Sequence, residues 1–300
     1  MIPAGETFDG TWPVPPHFCE PCGFKQHYVY EGQGSVIIWL HGEPTWGYLY
    51  RNFIPPLAKH HSVIVPDHMG FGKSETPQDK EYFLGTHVAN LAALIDSLEL
   101  TDITFVAQDW GGPIATAYTV RNPHRVKRLC FMNTLAGYGG GVEDKKAAMR
   151  ASDGGKKVKP WFQWRGAGNL SATVLSVMKI IGFTNSAAVT PEWIRAYSMP
   201  FPDKASCIGA IEFPKDVVLG RIANYVREGA AGLPELRKKP AMLAEGMQDH
   251  GIDPAHAIAD FKALWPDGPV VTLENAGHFC QEDAPETLVA LIKQFIQMTP

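Results

Sequence analysis

Thr104-Phe-Val-Ala-Gln-Asp109-Trp110-Gly-Gly-Pro-Ile-Ala-Thr116 contains a strand, a break and a helix start in immediate succession. Residues 103 to 107 form a β-branched and aromatic run of buried-strand character, and Gly111-Gly112-Pro113, followed by Ile114, Ala115 and Tyr118, opens a helix with proline in its first turn. Asp109 stands at the polar break between them. Ala107 and Gly111 flank it with the small residues that a tight strand-to-helix elbow needs, because its backbone is strained and larger side chains there would collide. Such an elbow ordinarily presents serine; this one presents aspartate.

That substitution decides the chemistry more than the fold. A carboxylate attacking an ester or amide carbonyl produces an anhydride less stable than the bond it replaces. Displacement at an sp3 carbon suits it better, because the resulting alkyl ester can be cleaved by water in a second step. A halide or an opened epoxide oxygen fits as leaving group.

Three segments carry a family resemblance. Gln108-Asp109-Trp110-Gly-Gly-Pro113, His41-Gly-Glu-Pro-Thr-Trp-Gly-Tyr-Leu-Tyr-Arg51-Asn52 and Ala276-Gly-His278-Phe-Cys-Gln-Glu282 together resemble the haloalkane dehalogenases of the α/β-hydrolase superfamily, over roughly residues 20 to 297. The Asp-Trp-Gly-Gly turn alone is shared with epoxide hydrolases. The resemblance implies a mostly parallel central sheet flanked by helices, with a helical cap inserted after the sixth strand. It implies a core of residues 1–134 and 220–300 and a cap of 135–219.

Bulk properties agree with a compact enzyme. The 300 residues suffice for one large core with an insertion, and 45% hydrophobic and 11% aromatic content argues against disorder. The net charge of -4, without a basic stripe, gives no reason to expect nucleic acid or an acidic membrane as partner, and it suits a small neutral substrate. No apolar run reaches membrane-spanning length and the first residues lack signal-peptide character, so neither is expected. Five irregularly spaced cysteines point to reduced thiols and a cytoplasmic location; Cys19-Glu-Pro-Cys22 has redox or metal spacing but no second pair, and lies before the first expected strand.

Along the chain, residues 1 to 23 read as an outer arm and Lys25–Tyr30 as a half-buried edge strand. Glu31–Gly34 reads as a hairpin turn, and Ser35–Leu40 as a central strand covered on both faces. His41-Gly-Glu43-Pro44 follows at that strand's carboxyl end and should border the same pocket as Asp109, with an X-Pro bond that allows cis. His41 reads as a structural histidine. A helix is expected over Arg51–His60, strands over 62–67 and 126–132, and a helix over Thr86–Leu98. The glycines of the loop from His68 to Pro77 read as structural, since the phosphate-loop spacing is absent. The β-strand and α-helix alternation argues for right-handed crossovers.

The resemblance assigns the site residues. The backbone N–H groups of Glu43 and Trp110 would form an oxyanion hole, and the Trp110 ring N–H, a donor without an acceptor, would hold halide. The second halide donor is expected on the cap at Trp164, with Trp161 as the alternative; Glu43, taken as an anion, would repel halide. Asn133 occupies the place where some relatives carry the catalytic acid, so that acid falls to Asp249, after the strand over 239–247, while Asp253 caps the helix over 254–264. His278, after the strand at 269–273, is the base, and a last helix covers 284–297. The order nucleophile, acid, histidine matches the superfamily. The implied reaction is hydrolytic dehalogenation: a small halogenated substrate and water give alcohol, halide and a proton, with no cofactor and no metal. Epoxide hydrolysis with the same triad is the nearest rival and would need a proton donor, for which Tyr138, Tyr197 and Tyr225 are candidates. A non-catalytic ligand-binding relative is a rival of another class.

Overall fold

The structure is a computed structural model and describes residues 2–138 and 168–300. Its eight strands are β1 (His17–Cys19), β2 (Gln26–Glu31), β3 (Ser35–Leu40), β4 (His61–Pro66), β5 (Ile103–Gln108), β6 (Val126–Met132), β7 (Ala241–Gly246) and β8 (Val270–Leu273). They form one sheet in the order β1-β2-β4-β3-β5-β6-β7-β8. β3 to β8 are mutually parallel, and β1 and β2 close one edge in antiparallel pairing.

Two sequence expectations fail at this edge. Glu31–Gly34 is no hairpin turn, because β2 pairs with β4 and β3 sits on the far side of β4. The apolar run of β3, with Ile37, Ile38, Trp39 and Leu40 fully buried, gains its cover only between two parallel neighbours. Gly32, at φ +77°, lets the crossing chain approach the carbonyls of Ala58 and His61, where any side chain would collide. The amino-terminal arm also contributes a strand, β1, which carries Cys19 against Gln26 of β2. Cys19 and Cys22 are unpaired, as are the other three cysteines.

The expected helix over Arg51–His60 shrinks to a 3-10 turn at Gly47–Tyr50 and the single turn α1 (Ile54–Leu57). Pro55 and Pro56 have no N–H to donate and are tolerated only in a first turn. The remaining core helices agree closely with expectation: α2 (Leu84–Ser97) and α3 (Gly111–Arg121). Between β6 and β7 come α4 (Leu170–Gly182), α5 (Pro191–Ser198), α6 (Ile208–Val218), α7 (Arg221–Glu228) and α8 (Leu233–Arg237). The chain closes with α9 (Pro254–Leu264), α10 (Cys280–Asp283) and α11 (Pro285–Met298). Asp253 caps α9 by accepting from the Ala255 N–H at 3.0 Å, as its position before Pro254 implied.

Strand register places the site. Leu40 pairs with Ala107, Gln108 with Met132, Met132 with Ala244, and Gly246 with Leu273. Five parallel strands, β3, β5, β6, β7 and β8, therefore end side by side, and the loops after β3, β5, β7 and β8 rise from one edge, where an open α/β sheet binds its ligand.

Candidate active site

Asp109 adopts φ +49°, a left-handed backbone that costs about 1–3 kcal/mol for a residue with a Cβ and persists only where its surroundings impose it. Those surroundings are explicit. Its N–H donates to the Asn133 carbonyl at 3.2 Å, and its carbonyl accepts from the Gly112 N–H at 3.1 Å and from the Thr134 hydroxyl. A side chain at Gly111 would strike the Leu40 carbonyl, and one at Gly42 would overlap the Asp109 carboxylate. The turn can therefore form only with glycine at both places.

The side chains converge as the sequence implied. Asp109 Oδ1 accepts the Glu43 N–H at 2.9 Å, and Oδ2 lies 3.4 Å from His278 Nε2. On the far side of the ring, His278 Nδ1 meets Asp249 Oδ2 at 2.8 Å. Asp249 Oδ1 accepts the N–H groups of Gly251 at 2.7 Å and Ile252 at 2.9 Å, which orients the carboxylate toward the ring. Burial alone would lower the proton affinity of His278, but the two carboxylates outweigh it and hold the imidazole well above its ordinary pKa. With Asp109 as a free carboxylate, His278 is thus disposed to carry a proton. Once that carboxylate is esterified, its charge is gone and the ring is released toward the neutral form.

Glu43 corrects an expectation. Its carboxyl oxygen Oε1 is buried without a partner among the described residues, although the residue keeps some exposure. Burial, then the charge of Asp109, push this carboxyl well above the usual range, only partly offset by His278. Its surroundings favour the uncharged form over the anion taken to repel halide, and a neutral carboxyl is itself a hydrogen-bond donor. The Glu43–Pro44 peptide is cis.

Trp110 sits at the start of α3 with its ring stacked on Phe213 of α6, centroids 4.5 Å apart and planes 12° from parallel. Among the described residues its backbone N–H has no bond to Asp109, whereas that of Glu43 does. Trp164 and Trp161 lie outside the described residues. His41 is structural, as expected: Nε2 accepts the His68 N–H at 3.0 Å and Nδ1 faces the Gly42 carbonyl at 2.9 Å. Of the three tyrosines, Tyr197 is committed elsewhere, donating to Glu282 Oε1 at 2.5 Å, and Tyr225 lies under the Arg121 guanidinium at 3.9 Å. Tyr138 also faces Arg121, at the opposite end of α3 from Asp109.

Sequence reading missed three supports. Asn133, at φ +42°, donates to Asp249 Oδ2 at 3.0 Å and so holds the acid whose place it occupies in sequence. Glu282, fully buried on α10, binds Arg51 through two contacts of 2.5 and 2.7 Å and Tyr197 of α5, tying the β6–β7 helices to the loop after β3. Asp67 gathers His27, the Gly47 N–H and the Lys73 N–H, each at 2.8 Å, and so folds the glycine loop inward. Glu282 was visible only as part of a motif; Asp67 and Asn133 follow strands, the one signal that could have marked them. Among the described residues no group of three or more His, Cys, Asp or Glu side chains is arranged to hold a metal, and no helix is long and apolar enough to cross a membrane.

Comparison with known proteins is consistent with this geometry. Residues 35–285 match the α/β-hydrolase fold family. The chain is 33% identical to a cis-3-alkyl-4-alkyloxetan-2-one decarboxylase of Shewanella oneidensis, over 97% of this chain and 91% of that one. It is 32% identical to haloalkane dehalogenase 2 of Mycobacterium tuberculosis, over 89% of each. The tetrameric haloalkane dehalogenase DpaA of Paraglaciecola agarilytica superposes with a TM-score of 0.76 at 27% identity, covering 95% of this chain and 92% of that one. An aspartate on the elbow, a histidine beside it and relatives of this kind over nearly the whole length place the chain in the haloalkane dehalogenase family of the α/β-hydrolase superfamily.

Proposed function

We propose that the protein is a hydrolytic dehalogenase that works through an alkyl ester of Asp109. The observation that carries this is the asymmetric hold on the nucleophile: Oδ1 is fixed by the Glu43 N–H at 2.9 Å, while Oδ2 has only a long 3.4 Å approach to His278. Oδ2 attacks the halogen-bearing carbon; the C–O bond forms as the C–X bond breaks, and the electron pair leaves with halide. The Trp110 ring N–H and the cap tryptophan Trp164 stabilise that halide, and the neutral Glu43 carboxyl adds a third donor at the pocket wall. Esterification removes the charge of Asp109, so His278 gives up its proton and takes one from water, which adds to the ester carbonyl. Oδ1 bears the transient negative charge against the Glu43 N–H, joined by that of Trp110, and Asp249 steadies the imidazolium. Collapse releases alcohol and restores the carboxylate. Residues 135–219, which include α4, α5 and α6, would serve as a cap domain that closes the site over these residues.

A second reading is favoured by the relatives named for oxetanone decarboxylation, at 33% and 31% identity over 97% and 93% of the chain. The same carboxylate would open a strained cyclic ester at its alkyl carbon; loss of carbon dioxide with formation of an alkene then returns Asp109 without water. Epoxide opening has less support, since Tyr197 is bonded to Glu282 and the other two tyrosines gather at Arg121. An idle ligand-binding relative has no use for an assembled triad.

The test is to supply 1-bromobutane, a cis-3,4-dialkyl oxetan-2-one and styrene oxide to the protein and to its His278→Gln variant. Dehalogenation predicts bromide release by the wild type, and in the variant one bromide per site with a butyl adduct on the peptide holding Asp109. Carbon dioxide and alkene without bromide would replace this reading by the second.

A further inference from the structure

Behind the triad, the ends of β6 and β7 bury a second carboxyl. Glu245 has no exposed surface, and it shares one amide with the catalytic acid. Asn133 Nδ2 has two hydrogens and three acceptors around it: Asp249 Oδ2 at 3.0 Å, the Gly246 carbonyl at 3.1 Å and Glu245 Oε1 at 3.3 Å. The amide is pinned from its other side, since Asn133 Oδ1 accepts the Gly246 N–H at 2.9 Å. The two carboxyls are treated unequally. Asp249 has four donors, namely His278, Gly251, Ile252 and Asn133. Glu245 has only the longest of the Asn133 contacts, and its Oε2 is buried with no partner among the described residues. A charged carboxylate so poorly solvated would be untenable, whereas a protonated one loses much less on burial.

We propose that Glu245 is a positioning residue for the triad: a proton-bearing carboxyl that leaves the Asn133 N–H to Asp249 and thereby keeps Asp249 aimed at His278. The groups facing it are Asp249 and Asp253 from the loop after β7, His278 from the loop after β8, and Cys280 of α10. Of these, the two aspartates oppose a charge on Glu245 and only His278 favours one. Burial and Asp249 push its carboxyl up to about 9. Above that pH an ionised Glu245 competes for the same amide hydrogen and sets a second negative charge against Asp249, loosening its bond to the ring. The acid limb of activity belongs to His278; the alkaline limb belongs to Glu245.

The inference rests on the triad reading above but not on the substrate. Its first test therefore needs no turnover: the side-chain carboxyl carbon of Glu245, followed by 13C NMR in the wild-type protein and assigned by its loss in Glu245→Gln, steps near pH 9. A step between pH 4 and 5 overturns the proposal. The second test is the pH profile of kcat with 1-bromobutane. Wild type falls about tenfold from its plateau by pH 10, one unit above the titration. Glu245→Gln, which mimics the neutral carboxyl, keeps its rate there. An alkaline limb retained in Glu245→Gln, or a uniform loss at every pH, overturns the positioning role. Absence of bromide release by the wild type would count against dehalogenation, while the NMR step would still decide the role of Glu245.

Discussion

Asp109 and Asn133 end adjacent parallel strands, both with left-handed backbones at φ +49° and +42°, and the N–H of the first donates to the carbonyl of the second. One backbone device serves two purposes. At the end of β5 it leaves a carboxylate with 17% of its side chain exposed. At the end of β6 it turns a fully buried amide back into the protein, where it grips Gly246 and Asp249. The difference is in what surrounds the side chain: Asp109 meets one N–H and a distant ring, while every polar atom of Asn133 is bonded. The reactive group is under-solvated by its surroundings and the supporting group is saturated.

This contrast can be broken from either side. Asp109→Ala removes the nucleophile and should lower halide release by about 10⁴-fold or more, with the fold retained by circular dichroism. Measurable turnover would mean that the carboxylate is not the attacking group. Asn133→Leu should act less on chemistry and more on structure, leaving Asp249 and the Gly246 N–H without their partner. A cost of about 1–3 kcal/mol in urea unfolding is expected, with kcat down about 10- to 100-fold through the misaligned acid. Unchanged kcat would show that Asp249 needs no help from β6.

Glu245→Gln sharpens the comparison through pH. The carboxyl rises from an ordinary 4.5 to about 9 in the folded protein, so between those values the folded state holds a proton that the unfolded chain has released. That group costs stability as pH climbs through the window, by up to about 1.4 kcal/mol per unit. The variant should therefore gain on the wild type in urea unfolding at pH 7 and more at pH 8.5, with little difference at pH 4.5. The smallest effect expected is at Thr134, whose hydroxyl donates to the Asp109 carbonyl: Thr134→Val should cost about 1 kcal/mol of stability and a few-fold in kcat.

Local patterns were easy to read where the local environment is uniform. Val36–Leu40 of β3 and Phe105–Ala107 of β5 are apolar runs that suit a doubly covered strand, and the glycines around Asp109 have no other use than close backbone approach. Asp109, Asp249 and His278 were legible because each stands within a few residues of the carboxyl end of a strand, β5, β7 and β8. The pairing of β2 with β4 was not, because a turn of Glu31-Gly-Gln-Gly34 is compatible with a hairpin or with a crossing, and only the competition of β3 for two parallel neighbours decides between them. The helix expected over Arg51–His60 is only the single turn Ile54–Leu57, where Pro55 and Pro56 have no N–H to donate.

The order of chemical groups along the chain by itself determined that an aspartate stands on an elbow after β5, an aspartate after β7 and a histidine after the last strand, since tight turns and strands leave their mark within a few residues. Only the tertiary structure decided the charges. Glu43 reads as an anion in sequence and is pushed toward its uncharged form beside Asp109, Glu245 vanishes into an apolar strand yet shares an amide with Asp249, and His278 is drawn toward its protonated form by two carboxylates from distant segments. Proton affinity depends on burial and on neighbours brought together across the sheet, which no local pattern encodes.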